Sequence, residues 1–176
     1  KKQWSNILFG ILVVCMLIPQ TRTPIVVFVQ RTLAMGPSVK KNKKTLEDYK
    51  WRLATAQGDM ISFEDAQDQV VMVNFWATWC PPCIAELPSI PRLYDQYKDE
   101  VAFYFVTDES PEKVMAFMNK QGYDLPIYFP QTASPKLLEH KALPSKYLLG
   151  KNGQINIKET RAAKWDREGV TDLLDK

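Results

Sequence analysis

Soft metal donors and paired thiols are scarce here: the 176 residues include one histidine, His140, and three cysteines. A structural zinc site needs four such donors at fixed spacing, and the chain does not supply them. Three cysteines are also too few for the disulfide framework of a small secreted scaffold. Charge of one sign is equally sparse. A formal net charge of +3, with no basic helix and no RNA-binding aromatic motif, gives no reason to expect a nucleic-acid partner. No apolar run reaches the roughly 20 residues of a full spanning helix, and no internal repeat is visible. A hydrophobic fraction of 45% with 12 prolines suits one globular domain plus an extension and excludes a disordered chain.

What is present is concentrated at 70–88, VVMVNFWATWCPPCIAELP. Val70 to Val73 run on into Phe75 and Trp76 with little polar interruption, and β-branched and aromatic residues dominate. That is the pattern of a strand covered on both faces and central in its sheet. Ile84, Leu87, Tyr94 and Tyr97 then recur at helical spacing. Pro81 and Pro82 suit a first helical turn, where an N–H needs no partner, and Pro88 should kink the helix. Cys80 is therefore expected at a helix tip, where free N–H groups and the positive dipole end favour a thiolate, and it is the candidate nucleophile. Cys83, about one turn in and facing the core, is the resolving thiol that attacks the mixed disulfide at Cys80. Half a zinc site is the bland reading of the pair, and the two further ligands it needs are absent. A purely structural disulfide would be unusual at so short a spacing at a helix start.

FWATWCPPC followed by IAELP resembles the thioredoxin superfamily, in particular its membrane-anchored TlpA/ResA/CcmG-like branch, and the likeness runs from Tyr49 to the C-terminus. The resemblance implies a thioredoxin-like α/β fold, a central mixed sheet flanked by helices, to which this branch adds an N-terminal β-hairpin. It also implies a thiol–disulfide oxidoreductase of the cell envelope, working as a reductant and in many relatives serving cytochrome c maturation. Its partners would be protein disulfides and, as electron donor, a membrane thiol reductase. No cofactor or metal is expected. A peroxiredoxin-like peroxidase shares this core but needs a P-x-x-x-T-x-x-C setting, and Asn74 to Trp79 do not provide it. A non-catalytic binding module is the remaining alternative, and two cysteines retained at a helix tip argue against it.

The N-terminal part reads as a membrane attachment. Residues 4–18 are almost uncharged, follow Lys1-Lys2 and close at Pro19, so the positive end would stay cytoplasmic. At about 15 residues the run is shorter than a usual span, and a cleavable signal competes with an anchor. No A-x-A-type site occurs in Gln20-Thr21-Arg22-Thr23-Pro24, which favours a retained single-pass anchor in the inner (cytoplasmic) membrane with the domain on the periplasmic or extracytoplasmic side. Val13-Val14 lacks the small residue a lipoprotein signal has before its cysteine, so Cys15 reads as a bystander. Residues 25–35 are apolar but broken by Gln30 and Arg31, and either lie along the bilayer surface or pack on the domain. The lysines at 40–44 read as a solvated linker, with attraction to anionic headgroups as a secondary role. The expected organisation is 1–37 anchor and juxtamembrane segment, 38–48 linker and 49–176 thioredoxin-like domain.

Within that domain, 50–54 and 60–63 read as a hairpin around Gln57-Gly58-Asp59. Val101–Val106 is a second buried strand, and Ser110-Pro111-Glu112 opens a helix to about Lys120 with Val114, Phe117 and Met118 inward. Strand, helix, strand, helix predicts parallel pairing. Residues 125–129 form a further strand, and Ser134-Pro135 caps a helix carrying Leu137 and Leu138. Lys151-Asn152-Gly153 joins the antiparallel strands 147–149 and 154–158. A closing helix at 166–174 buries Val170, Leu173 and Leu174.

The resemblance makes Pro144 a cis-proline facing the dithiol, against the ordinary trans preference of X–Pro bonds. It would leave the Leu143 backbone free to pair with an extended substrate segment. Glu86, one turn beyond Cys83, would exchange protons with it if burial raised its pKa; the alternative is a surface glutamate at a helix N-terminus. Asn74 stands where thioredoxins carry a buried aspartate, so their usual proton shuttle is in doubt. Trp79 is expected to form part of the docking surface, Trp76 to lie in the core, and His140 to be a polar helix-end residue.

Overall fold

The computed structural model describes residues 2–37, 44–166 and 168–174. The Cys15 side chain, most of the 40–44 lysine run and Arg167 lie outside the described residues. Seven strands form one sheet in the order β2-β1-β5-β4-β3-β6-β7. β3 (Val70–Phe75) is an interior strand, parallel to β4 (Val101–Val106) and antiparallel to β6 (Ser145–Leu149). β4 also runs parallel to β5 (Ile127–Pro130), and β7 (Ile155–Glu159) closes one edge antiparallel to β6. At the other edge β1 (Arg52–Ala54) and β2 (Met60–Ser62) make the expected antiparallel hairpin, with β1 joined to β5. This is the thioredoxin-like α/β arrangement of a mixed sheet between helical layers.

Side chains alternate across a strand, and β3 divides two cores accordingly. Val71, Val73 and Phe75 pack with Trp51, Phe63, Tyr104 and Tyr147 on one face. Met72 packs with Cys80, Cys83, Phe105, Leu148 and Trp165 on the other. The continuous apolar run thus becomes a two-face strand, as its composition predicts.

The helix after β3 is two helices, α3 (Pro81–Glu86) and α4 (Ile90–Tyr97). Pro88 breaks it rather than kinking it: a proline lacks the N–H that continuation needs, and both the Ser89 N–H and its hydroxyl donate to the Glu86 carbonyl. α5 (Pro111–Gln121) buries Val114 and Met118 and stops at Gly122 in the left-handed region. The helix expected after Pro135 is only a 3-10 turn, Lys136–Leu138. The last helix, α6 (Glu168–Leu174), buries Val170 and Leu174 and leaves Leu173 half-buried.

Two N-terminal helices precede the sheet, α1 (Lys2–Leu17) and α2 (Pro19–Leu33). No helix among the described residues is long and apolar enough to cross a membrane. Of the two placements open for 25–35, the observed one is a helix packed on the domain: α2 lies against α3, and the Met35 carbonyl accepts from the Lys164 N–H. The end of the expected linker also belongs to the domain. The Leu46 N–H donates to the Gly153 carbonyl at 2.9 Å, the Ile155 N–H to the Lys44 carbonyl, and the Leu46 side chain is buried.

That contact fixes the cost of altering the β6–β7 turn. Gly153 has φ +72°, and a Cβ there would meet the Leu46 carbonyl oxygen at 2.6 Å, whereas Gly58 at φ +93° faces open space. A non-glycine residue in the left-handed region costs on the order of 1–3 kcal/mol. Urea unfolding of Gly58→Ala should show a loss at the low end of that range, and Gly153→Ala a clearly larger one.

Candidate active site

The sheet delivers Cys80 through a short loop whose backbone is pinned. The Trp76 N–H donates to the Val106 carbonyl at 3.0 Å and so extends the β3–β4 ladder by one residue. Thr78 is then clamped: its N–H and hydroxyl donate to the two oxygens of Glu109 at 2.5 and 2.8 Å. Lys113, two residues after Pro111 at the start of α5, pairs with the same carboxylate. Partial burial pushes the Glu109 carboxyl up, but its bonds from Lys113 and Thr78 outweigh burial and hold it below the usual carboxylate range. The only sequence signal for this clamp is an acid four residues before a lysine at a helix start.

Cys80 and Cys83 form a disulfide, with Cα atoms 5.3 Å apart. Cys80 occupies the N-cap of α3, and the Cys83 N–H donates to its sulfur at 3.3 Å. Both residues are buried, Cys83 at 1% and Cys80 at 2% exposure. The helix tip is therefore not an open surface position for Cys80, because Trp76 and Ala77 pack around it in the core. The exposed neighbour is Trp79, at 65%.

β6 brings the second part of the site alongside. Ser145 pairs with Phe75 at the end of β3, which sets the preceding Leu143–Pro144 bond beside the dithiol loop. That bond is cis. Trp79 and Leu143 line the same groove of about 170 Å³, together with Asp108 and His140. His140 is more than a polar helix end: its ring stacks on Phe75 at 4.0 Å. Burial holds its pKa below the ordinary imidazole value and Lys158 lowers it further, against the opposing charge of Asp108, so the groove has a neutral imidazole on one wall at neutral pH.

Glu86 lies on the opposite, inner side of α3. It is no surface glutamate: its side chain and that of Lys146 are both fully buried and paired with each other. The same Glu86 oxygen accepts from the Ala163 N–H at 3.3 Å, and the Lys146 ammonium donates to the Arg161 carbonyl at 3.0 Å. Burial pushes the Glu86 pKa up, opposed by Lys146 and, more weakly, by the Ala163 N–H and the Trp165 indole. Burial likewise pushes Lys146 down, against the pull of Glu86 and Glu159. Lys146 is the residue that sequence reading missed. Its signal is a lysine in the strand SKYLL, whose other members are all buried. Among the described residues no group of three His, Cys, Asp or Glu side chains is placed to hold a metal.

The sequence profile of the AhpC/TSA family matches residues 44–157. The thioredoxin-like protein YneN of Bacillus subtilis is 34% identical over 107 residues, which are 58% of this chain and 63% of that protein. The thiol-disulfide oxidoreductase ResA of Halalkalibacterium halodurans is 30% identical over 106 residues, 58% of this chain and 60% of the relative. The chain thus spans about three fifths of the length of these curated relatives. Among solved structures, StoA from Bacillus subtilis superposes with a TM-score of 0.52 at 21% identity, covering 78% of this chain and 98% of that one. A DsbF homologue from Corynebacterium diphtheriae gives a TM-score of 0.58 at 20% identity, covering 77% and 90%. These superpositions show a shared fold.

The Glu109 clamp carries a pH signature. Its carboxyl titrates lower in the folded chain than in the unfolded one, where the reference is about 4.3. The unfolded chain therefore takes up the proton first as pH falls, and the clamp's contribution is present above that value and lost as pH drops through the folded pKa. Urea titrations between about pH 6 and 3 should show a shallower acid loss of stability in Glu109→Gln than in the unaltered chain.

Proposed function

The chain belongs to the AhpC/TSA family, and from that premise we propose that it is a thiol–disulfide oxidoreductase that exchanges electrons with protein disulfides through Cys80 and Cys83. The observation that carries the reading is the Cys80–Cys83 disulfide at the start of α3, set beside a cis-proline loop. Relatives named thiol-disulfide oxidoreductase ResA support it, as does the pattern that resembles the envelope-anchored branch.

In the reducing direction an external dithiol first opens the Cys80–Cys83 bond. The Cys80 thiolate, which accepts the Cys83 N–H at the α3 N-cap, then attacks a substrate disulfide, giving a mixed disulfide and one substrate thiolate. Cys83 next loses its proton and attacks the Cys80 sulfur. The internal S–S bond re-forms, the mixed S–S bond breaks, and the second substrate thiolate leaves and is protonated. The substrate gains two electrons and the dithiol loses two. Trp79 and the Leu143 backbone are the substrate contacts: the exposed indole offers a flat apolar surface, and Leu143 offers main-chain groups for an extended segment. Glu86 is the group that takes the Cys83 proton.

The location we propose is the outer side of the cytoplasmic membrane, with a membrane thiol reductase as electron donor and cytochrome c maturation as one setting. The supporting features are Lys1-Lys2 ahead of an apolar run and the uncovered Trp4, Leu8, Phe9 and Leu17 of α1. At 16 residues α1 would be about 24 Å long, short of a hydrocarbon core of about 30 Å. Contact with the bilayer would therefore also involve α2, whose Phe28 and Leu33 are exposed.

Disulfide exchange should disappear in Cys80→Ser, read as reduction of a disulfide-bonded model protein, whereas a binding module would keep its cellular phenotype. Cys83→Ser should accumulate covalent complexes that a reductant releases on a non-reducing gel. An unchanged cellular phenotype in Cys80→Ser would reverse the assignment in favour of the module, and thiol-dependent peroxide consumption at enzymatic rates would reverse it in favour of the peroxidase.

A further inference from the structure

Beneath the dithiol a row of polar residues crosses three strands. β3, β6 and β7 pair Asn74 with Lys146 and Lys146 with Glu159. Directly paired residues share a face of the sheet, and this is the face of Met72 and Leu148, which pack with both cysteines. All three are buried, at 2%, 0% and 5% exposure. α3 lies above the row and sends Glu86 down to Lys146. The Lys146 ammonium also sits 5.5 Å from the centre of the Trp165 ring. A buried ion pair adds little net stability, because desolvating two charges offsets their attraction. Stability alone therefore does not account for a lysine at this place in the strand.

We propose that Lys146 is a positioning residue for the dithiol: its ammonium holds Glu86 in place and ionised, one helical turn from Cys83, so that Glu86 can take the Cys83 proton when the mixed disulfide is resolved. The proposal rests on the exchange reading above. In that step the Cys83 thiol gives its proton to the Glu86 carboxylate, the thiolate forms the bond to the Cys80 sulfur, and the departing thiolate is protonated by Glu86 or water. Without a cation beside it, burial would leave Glu86 already protonated and unable to accept. The other charged groups around it are engaged elsewhere or set apart. Arg92 from α4 pairs with Asp166, and Arg161 pairs with Glu159 from β7. Arg31 from α2 and Lys164 line the cavity next to Glu86 without a hydrogen bond to it. Among the described residues Lys146 is the one cation bonded to the carboxylate.

The two sulfur steps can be read separately. In a Cys15→Ser background, which removes the third thiol, the fully reduced chain mixed with Ellman's disulfide releases one thionitrobenzoate when Cys80 is captured and a second when Cys83 resolves. The second rate, followed between about pH 5 and 9, should rise along a limb that Glu86→Gln removes. Lys146→Met should move that limb up by about 1–3 pH units and slow the second release at pH 7 on the order of tenfold or more, while leaving the first release unchanged. Lys146→Gln, which keeps hydrogen-bonding capacity without charge, should show the same displacement and serves if the methionine variant does not fold. Lys146→Arg should restore the limb toward its original place. A folded Lys146 variant with lowered thermal stability and an unmoved limb would make the lysine purely structural and overturn the proposal. An unaltered limb in Glu86→Gln would overturn both the proposal and the Glu86 role yet leave the exchange reading standing. A missing second release from the Cys15→Ser chain with Glu86 and Lys146 intact would sink the exchange reading itself.

Discussion

A strand that is hydrogen-bonded along both edges and covered on both faces can offer chemistry only at its ends, and β3 is such a strand. Its parallel ladder with β4 and antiparallel ladder with β6 leave no free edge. Its side chains fill one core with Phe63 and Tyr147 and another with the dithiol and Trp165. Everything that follows in the chain inherits its position from the place where that strand stops. The extra bond from Trp76 to Val106 and the two from Thr78 to Glu109 carry this rigidity out to the turn before Cys80. The register of Ser145 opposite Phe75 carries it to the cis-proline loop. Preorganisation of the site is thus a consequence of sheet register and needs no separate device.

The same register explains how charge is kept inside the domain. Side-chain parity on β3 puts Asn74 on the dithiol face, and its partner Lys146 must then point the same way. Taking an ammonium out of water costs several kcal/mol unless a carboxylate and further hydrogen bonds compensate. α3 supplies Glu86, and the segment after β7 supplies the Arg161 carbonyl and the Ala163 N–H. The pair therefore ties three separate stretches of chain together at one point, and opposing effects of burial and partner act on both members. Asn74 retains a buried side-chain oxygen without a partner, as do Glu86 Oε1 and the Trp165 and Trp76 indole nitrogens.

Much of this was legible in the residues. VVMVNF announces a two-face strand through composition alone, and CPPC announces a helix start through the conformational bias of proline. The hairpin at Gly58 and the turn at Gly153 follow from glycine's tolerance of positive φ. What could not be read is whatever depends on pairing across the chain. Glu86 is ambiguous in sequence, since a glutamate near a helix N-terminus is as much at home in water as in a core; only the lysine 60 residues later decides the matter. Lys146 is invisible for the complementary reason, because strand pattern predicts which positions are buried but not that a charge there will find its counter-ion. Pro88 illustrates a local limit. A proline in a helical stretch allows a kink or a break, and the Ser89 bonds back to Glu86 select the break. Lys44 and Leu46 join the domain ahead of Tyr49 because they bond to the β6–β7 turn, a contact over 100 residues long in sequence that composition does not encode.

The placement of α2 follows from an apolar segment too polar to be buried all round. Arg31 and the buried Gln30 oxygen mark a mixed surface, and such a helix satisfies its apolar side against α3 while Phe28 and Leu33 stay outside. The cavity between α2 and the 159–163 segment touches Pro82 but shares no residue with the groove of Trp79, Leu143 and His140. α2 therefore covers one flank of the dithiol helix, apart from the groove of Trp79 and Leu143. That groove carries an exposed indole, a neutral imidazole and the Leu143 end of the cis-proline loop. In the proposed exchange an extended substrate segment would use these features separately, an apolar face for a side chain and main-chain groups for a backbone.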